Sequence, residues 1–231
     1  MNPQAYFVTG TDTEVGKTYV ASALLYRARQ QGRAAVGIKP VAAGTGPDGR
    51  NEDVEALRAA NSLALPERTL NTYRLDPPIA PHIAAREAGV DIRFAAIAAA
   101  LAEAQAQAGP GGLVLVEGAG GFRIPLGPDG DSADLAVALG LPLILVVGMR
   151  LGCLNHALLT AEAITARGLT LAGWIANRID PDMRRFEDNL ASLTGLLAAP
   201  CLGVIPHGLA GGPAAAAAYL ELPEPTPQSA Y

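Results

Sequence analysis

Lysine is nearly absent from this chain. Its 231 residues include 17 Lys plus Arg, yet only Lys17 and Lys39 are lysines. A coding preference for arginine accounts for the other fifteen and leaves the two exceptions to be explained. An ammonium is a compact point charge whose pKa shifts readily, whereas a guanidinium is a planar fork. The two lysines therefore mark positions where the fork will not serve. Basic charge of any kind is in short supply, with a net charge of −5. That argues against a nucleic-acid surface, which needs clustered Lys and Arg. Aromatic residues make up only 5% while half the chain is apolar, so the core is aliphatic and alanine-rich. Two cysteines, Cys153 and Cys201, read as reduced, packed thiols rather than a disulfide framework. No apolar run is long enough to span a bilayer, and the N-terminus lacks the basic-then-apolar pattern of a signal peptide. The expectation is a cytoplasmic protein with no membrane partner.

What is present is an alternation of short apolar runs and helical stretches. Tyr6 to Thr9, "AAVGIKPV" from Ala34, "LVLVEGAGG" from Leu113, "LPLILVVGMRLG" from Leu141, "LTLAGWIANRI" from Leu169 and "CLGVIP" from Cys201 read as strands. Their apolar runs point to strands buried on both faces. Helices are expected over Lys17–Gln31, Glu52–Ala60, Ile92–Ala108, Asn155–Arg167 and Pro181–Leu197, and a rigid Pro-rich loop over Asp76–His82. The fold class is α/β: a mostly parallel sheet of about seven strands with helices on both faces, in one domain over residues 1–231. The tail from Gly208 is read as partly irregular, with a frayed end at "ELPEPTPQSAY". Ligands in such sheets bind at the carboxyl ends of strands. Thr9–Thr18, Lys39–Ala43, Glu117–Gly121, Gly148–Cys153, Asn177 and Pro206 stand there and are expected to converge on one crevice.

The stretch "YFVTGTDTEVGKT" carries the chemistry. A strand, a Gly-containing turn and a helix opening on Lys-Thr offer backbone N–H groups and a helix N-terminus to anionic oxygens. Lys17 would reach the outer phosphates of a nucleoside triphosphate, and the Thr18 hydroxyl would bind Mg2+. Five residues separate Gly10 from Gly16, one more than the common spacing. Mg2+ usually takes one or two carboxylates besides phosphate oxygens. Glu117, ending a buried strand, is the first candidate, and Asp53, starting a helix, the second. Lys39 closes the second strand and faces the same crevice. A second ammonium near a γ-phosphate points to transfer onto an anionic acceptor. The helix start after Arg150 is another anion site. His156 reads as capped and packed, His82 and His207 as weak candidates, and Asn177 as an amide able to read a base.

In this order, "YFVTGTDTEVGKT", "GIKPVAAG", "VLVEGAGG", "VVGMRLGCLNHALLTAEAI" and "LTLAGWIAN" closely resemble the dethiobiotin synthetase family, over about Tyr6 to Pro206. The resemblance implies a P-loop fold and an ATP-dependent ligase of biotin synthesis. Its substrates would be diaminopelargonate, CO2 or bicarbonate, and ATP with Mg2+ as cofactor. It implies that Lys17 and Lys39 flank the transferring phosphoryl group and that Thr18, Asp53 and Glu117 hold Mg2+. Glu14, Val15, Gly16, Lys17, Thr18 and Tyr19 would wrap the nucleotide, with Asp53, Glu117, Gly118, Ala119, Gly120, Asn177, Arg178, Ile205, Pro206 and His207 completing its site. Thr13, Lys39, Ala43, Leu151, Gly152, Cys153 and Asn155 would meet the diamine, the last four across a homodimer interface. The longer loop would hold phosphate on one side and the diamine on the other. One departure is visible: the family often has Ser where this chain has Ala43, so a neighbour such as Thr45 or a water would stand in for the hydroxyl. A partitioning-type ATPase switch would need a partner surface or a basic amphipathic helix, which the tail does not offer. An amidoligase-like synthase would need length for a glutamine-hydrolysing domain.

Overall fold

Apolar runs bounded by glycine and proline become strands here because helices cover both of their faces. The computed structural model describes residues 3–224. In its first half these are β1 (Gln4–Gly10), α1 (Lys17–Gln30), β2 (Ala35–Ile38), β3 (Val41–Ala43), α2 (Glu52–Ala60), α3 (Glu67–Leu70), β4 (Tyr73–Leu75), α4 (Pro81–Glu87) and α5 (Phe94–Ala108). The second half has β5 (Leu113–Glu117), β6 (Pro125–Gly127), β7 (Gly130–Asp131), α6 (Ser132–Leu139), β8 (Leu143–Gly148), α7 (Cys153–Ala166), β9 (Leu171–Asn177), α8 (Phe186–Leu196), β10 (Cys201–Ile205) and α9 (Gly212–Ala216).

The central sheet has six strands in the order β10-β9-β8-β1-β5-β2, and every pairing is parallel. About seven were expected; the remaining short strands form two separate ladders, β3 with β4 and β6 with β7. The chain leaves β1 for β2 on one side, returns to β5, then crosses to β8, β9 and β10 on the other. The strand order reverses around β1, which puts the binding crevice at its carboxyl end. Strands β5 and β8 are buried along their whole length. One apolar cluster joins α1, α2 and α5 to β1, β2 and β5; Leu24, Leu25, Leu57 and Leu101 belong to it. A second gathers Leu145, Trp174, Phe186 and Leu193 between β8, β9, α7 and α8.

Several boundaries differ from the sequence reading, for identifiable reasons. The expected strand Ala34–Val41 breaks at Lys39–Pro40, because Val41–Ala43 pairs with Tyr73–Leu75 instead. The loop expected through His82 ends earlier, since Pro81 opens α4 at a position where a missing N–H costs nothing. Helix α8 begins five residues later than Pro181. Helix α6 went unpredicted despite a capping box between Asp131 and Asp134 and a left-handed Gly140 at its end. The tail is more regular than expected: α9 and a 3-10 turn at Ala217–Tyr219 follow residue 208, and Glu221 N–H bonds Leu202 O at 2.7 Å. The end from 225 to 231, expected to fray, lies outside the described residues.

Candidate active site

The loop between β1 and α1 is built for close approach. Gly16 lies in the left-handed region at φ 84, and a Cβ there would stand 2.3 Å from Asn177 Nδ2. A side chain at Gly10 would meet Val15 Cγ2 at 2.7 Å. Glu14 is held at φ 60 without being glycine, a strain that clusters at ligand sites. Asn177 Nδ2 donates to Val15 O at 2.9 Å, so its amide nitrogen pins the loop.

Beside this loop lies a cluster of three charged residues and one hydroxyl. Lys39 Nζ donates to Glu117 Oε1 at 2.5 Å and to Asp53 Oδ2 at 2.7 Å. Thr18 Oγ1 donates to the same Glu117 Oε1 at 2.6 Å. Register brings this about: Val8 is paired with Glu117 across β1 and β5, and Val116 with Ile38 across β5 and β2. The carboxylate therefore emerges between the loop and Lys39. Asp53 arrives from the first turn of α2, which Asn51 caps by accepting Val54 N–H at 3.2 Å. Side-chain exposure is only 6% for Lys39 and 1% for Glu117. Burial alone would lower the Lys39 pKa, but the Glu117 and Asp53 charges outweigh it and hold the ammonium above its ordinary value. Burial alone would raise Asp53; Lys39 outweighs it and holds the carboxyl low. Lys17 is different. Burial first, and the nearby Lys39 second, bring its pKa down to about 8. Its Nζ donates to Asp12 O at 3.1 Å.

Glu117 Oε2 is buried without any hydrogen-bond partner, so a carboxylate oxygen remains open to a cation. Two carboxylates, one of them with an unpartnered oxygen, and one hydroxyl suit a hard cation that keeps several waters. Among the described residues there is no group of three or more metal-ligating His, Cys, Asp or Glu that would compete as a centre.

Most of the predicted residues are brought together at the carboxyl ends of the strands. Gly118, Ala119 and Gly120 follow β5 beside the loop, and a Cβ at Gly120 would come within 3.4 Å of Thr13 Oγ1. Thr13 is exposed at the loop tip, and Tyr19 is half-buried in the first turn of α1. Ala43 ends β3, half-buried. Arg178, Ile205, Pro206 and His207 lie together at the ends of β9 and β10, where Arg178 N–H bonds Ile205 O at 3.0 Å. The Arg178 guanidinium stacks on Phe186 at 4.9 Å from the ring centre.

Three expectations need correction. Cys153, expected at the substrate, is buried and packs its thiol into the second apolar cluster, so its side chain is not presented at the surface. Its neighbours Leu151, Gly152 and Asn155 are exposed, Leu151 by 95%. His156 is exposed rather than packed. Thr45, expected as a stand-in for the missing serine hydroxyl, has its hydroxyl hydrogen committed, since Oγ1 donates to Asp76 Oδ1 at 3.1 Å and only its lone pairs remain to accept. Sequence reading also passed over Asp12 and Arg150, which form an ion pair across the loop at 2.6 Å.

Known proteins set this geometry in a family. A family model described as an AAA domain matches residues 4–210. The chain is 58% identical over 224 residues to the ATP-dependent dethiobiotin synthetase BioD of Aromatoleum aromaticum, covering 96% of this chain and 98% of that protein. It is 56% identical to the BioD of Ralstonia nicotianae, over 87% of this chain and 88% of the relative. The chain belongs to the dethiobiotin synthetase family. Solved structures with the same fold are more distant in sequence. The cell division protein FtsY of Thermotoga maritima superposes with a TM-score of 0.54 at 16% identity, over 93% of this chain and 67% of that one. The septum site-determining protein MinD of Pyrococcus horikoshii, complexed with Mg-ADP, gives 0.53 at 16% identity, over 89% of this chain and 82% of that one. At that distance the likeness concerns the fold, a P-loop α/β architecture.

Proposed function

We infer that this chain is an ATP-dependent dethiobiotin synthetase, a cyclo-ligase of biotin synthesis acting as one domain. The observation that carries the inference is Lys39, buried between Glu117 and Asp53 at the mouth of the phosphate loop. Lys17 and the loop already supply what simple nucleotide binding needs, and a second buried ammonium beside them answers a further demand. It serves an acceptor that brings negative charge of its own.

The family to which the chain belongs implies the reaction, and the placement of Lys39 suits it. An amine of diaminopelargonate takes up CO2 as a carbamate. A carbamate oxygen attacks the γ-phosphorus, the bond to ADP breaks, and a carbamic–phosphoric anhydride results. The second amine attacks its carbonyl carbon, the bond to phosphate breaks, and the cyclic urea closes. Lys39 Nζ would face the carbamate and the phosphoryl oxygens, and Lys17 Nζ would leave Asp12 O for the outer phosphates. The backbone N–H groups of Glu14 to Thr18 would cradle the phosphates. Catalysis here is positioning and charge neutralisation. Thr18, Asp53 and Glu117 would hold Mg2+, which when bound neutralises phosphate charge. Asn177, Gly118 to Gly120, Arg178 and the Ile205–His207 segment border the nucleotide side.

A homodimer fits the same reading. Leu151, beside the start of α7, is 95% exposed and Leu159 on the same helix 56%. A second copy covering them would bring Leu151, Gly152 and Asn155 to the partner's substrate. No described helix is long and apolar enough to cross a membrane.

The deciding assay supplies diaminopelargonate, bicarbonate and MgATP and looks for the cyclic urea by mass. ATP hydrolysis that ignores the diamine and answers to a protein partner would favour a switch ATPase. A second expectation concerns pH. With Lys17 at about 8, roughly half of it is neutral at that pH. Phosphate raises its pKa, so ATP binding near pH 8 takes up about half a proton, and affinity falls as pH rises further. Calorimetry in buffers of different ionisation enthalpy reads this directly, and no uptake would contradict it.

A further inference from the structure

Asp12 sits at a junction of three contacts. Its Oδ2 takes Arg150 Nη2 at 2.6 Å, its Oδ1 accepts Thr13 N–H at 2.7 Å, and its backbone carbonyl accepts Lys17 Nζ at 3.1 Å. Arg150 follows β8 by two residues and leads directly into the start of α7. The ion pair thus ties one end of the phosphate loop to the segment proposed to border the diamine of a second copy. The other end of the loop has its own anchor, the Asn177 bond to Val15 O. Between the two anchors lies Glu14, in the left-handed region at φ 60. The five residues between Gly10 and Gly16 therefore divide into two halves fixed from outside by different strands' ends.

We propose that Asp12 and Arg150 are positioning residues, a latch that sets the acceptor half of the loop for the diamine and leaves the nucleotide half to Asn177. The proposal rests on the synthetase reading above. Both side chains are a little under half exposed, at 45% and 41%, so the pair adds little to global stability. Its effect is on how often Thr13, whose N–H the Asp12 carboxylate holds, stands in the binding pose. A ligand's apparent affinity drops by the fraction of protein in the competent pose.

Steady-state kinetics of Asp12→Asn, Arg150→Gln, the double variant and Arg150→Lys test this. Each of the first two is expected to raise KM for diaminopelargonate about ten-fold while KM for ATP stays within about two-fold. The double variant is expected to match the singles, because all three break one contact. Arg150→Lys keeps a cation within reach of the carboxylate and restores most of the loss. A diamine KM unchanged in both single variants, an ATP KM rising in step, or additive losses in the double variant would overturn the latch. Cyclic urea made by the wild-type chain in the same assay separates that outcome from failure of the synthetase reading.

Discussion

Lys39→Ala is expected to lower turnover by at least about a hundred-fold while the variant still binds ATP. The magnitude follows from removing one preorganised charge aimed at a developing anion. Nucleotide binding survives because Lys17, Thr18 and the loop N–H groups are untouched. The substitution also leaves Glu117, only 1% exposed, without the cation it was folded against. Breaking a buried pair from one side costs on the order of 3 kcal/mol, so the thermal midpoint falls as well. Lys39→Met keeps the packing volume and isolates the charge. Single-turnover rates beside an ATP titration separate the two effects. Turnover within a few-fold of wild type in a folded variant would remove Lys39 from the chemistry.

Glu117→Gln is expected to raise the Mg2+ concentration for half-maximal activity by about ten-fold or more, since a hard cation loses a carboxylate and keeps an amide. Glu117 Oε1 already serves both Lys39 and Thr18, and Oε2 has no partner in the folded chain. An amide can still accept from Lys39 and Thr18 through its oxygen, so the variant folds. Its NH2 group then points where a cation would be welcome. A Mg2+ titration of activity at saturating ATP is the measurement. An unchanged midpoint would place the metal on other ligands.

Much of this site was legible in the sequence because strand ends announce it. Thr18, Lys39 and Glu117 each stand where a buried run meets glycine or a new element, and the parallel register does the rest. What escaped reading depends on direction and on distance along the chain. Cys153 and Leu151 are two residues apart, yet one is buried and the other almost wholly exposed; only the emergence of α7 from its left-handed Gly152 decides which. Asp12 and Arg150 are separated by 138 positions, and neither stands out as a charge on its own. The ladder of β3 with β4 was missed because three-residue strands carry too little alternation to signal. Lysine scarcity was the most useful negative feature: it singled out Lys17 and Lys39 before any contact was known. It did not foretell that Lys39 would lie between both proposed metal carboxylates.

The central claim is that the terminal phosphoryl group of ATP passes to a carboxylated amine between these two ammonium groups. Oxygen tracing addresses it most directly. Bicarbonate enriched in oxygen-18, mixed with diamine and MgATP and quenched before exchange with water, supplies the label. Attack by a carbamate oxygen and later ring closure leave one labelled oxygen in each released phosphate. Phosphate carrying that single label is the predicted result; phosphate with none, formed alongside the cyclic urea, would contradict the account.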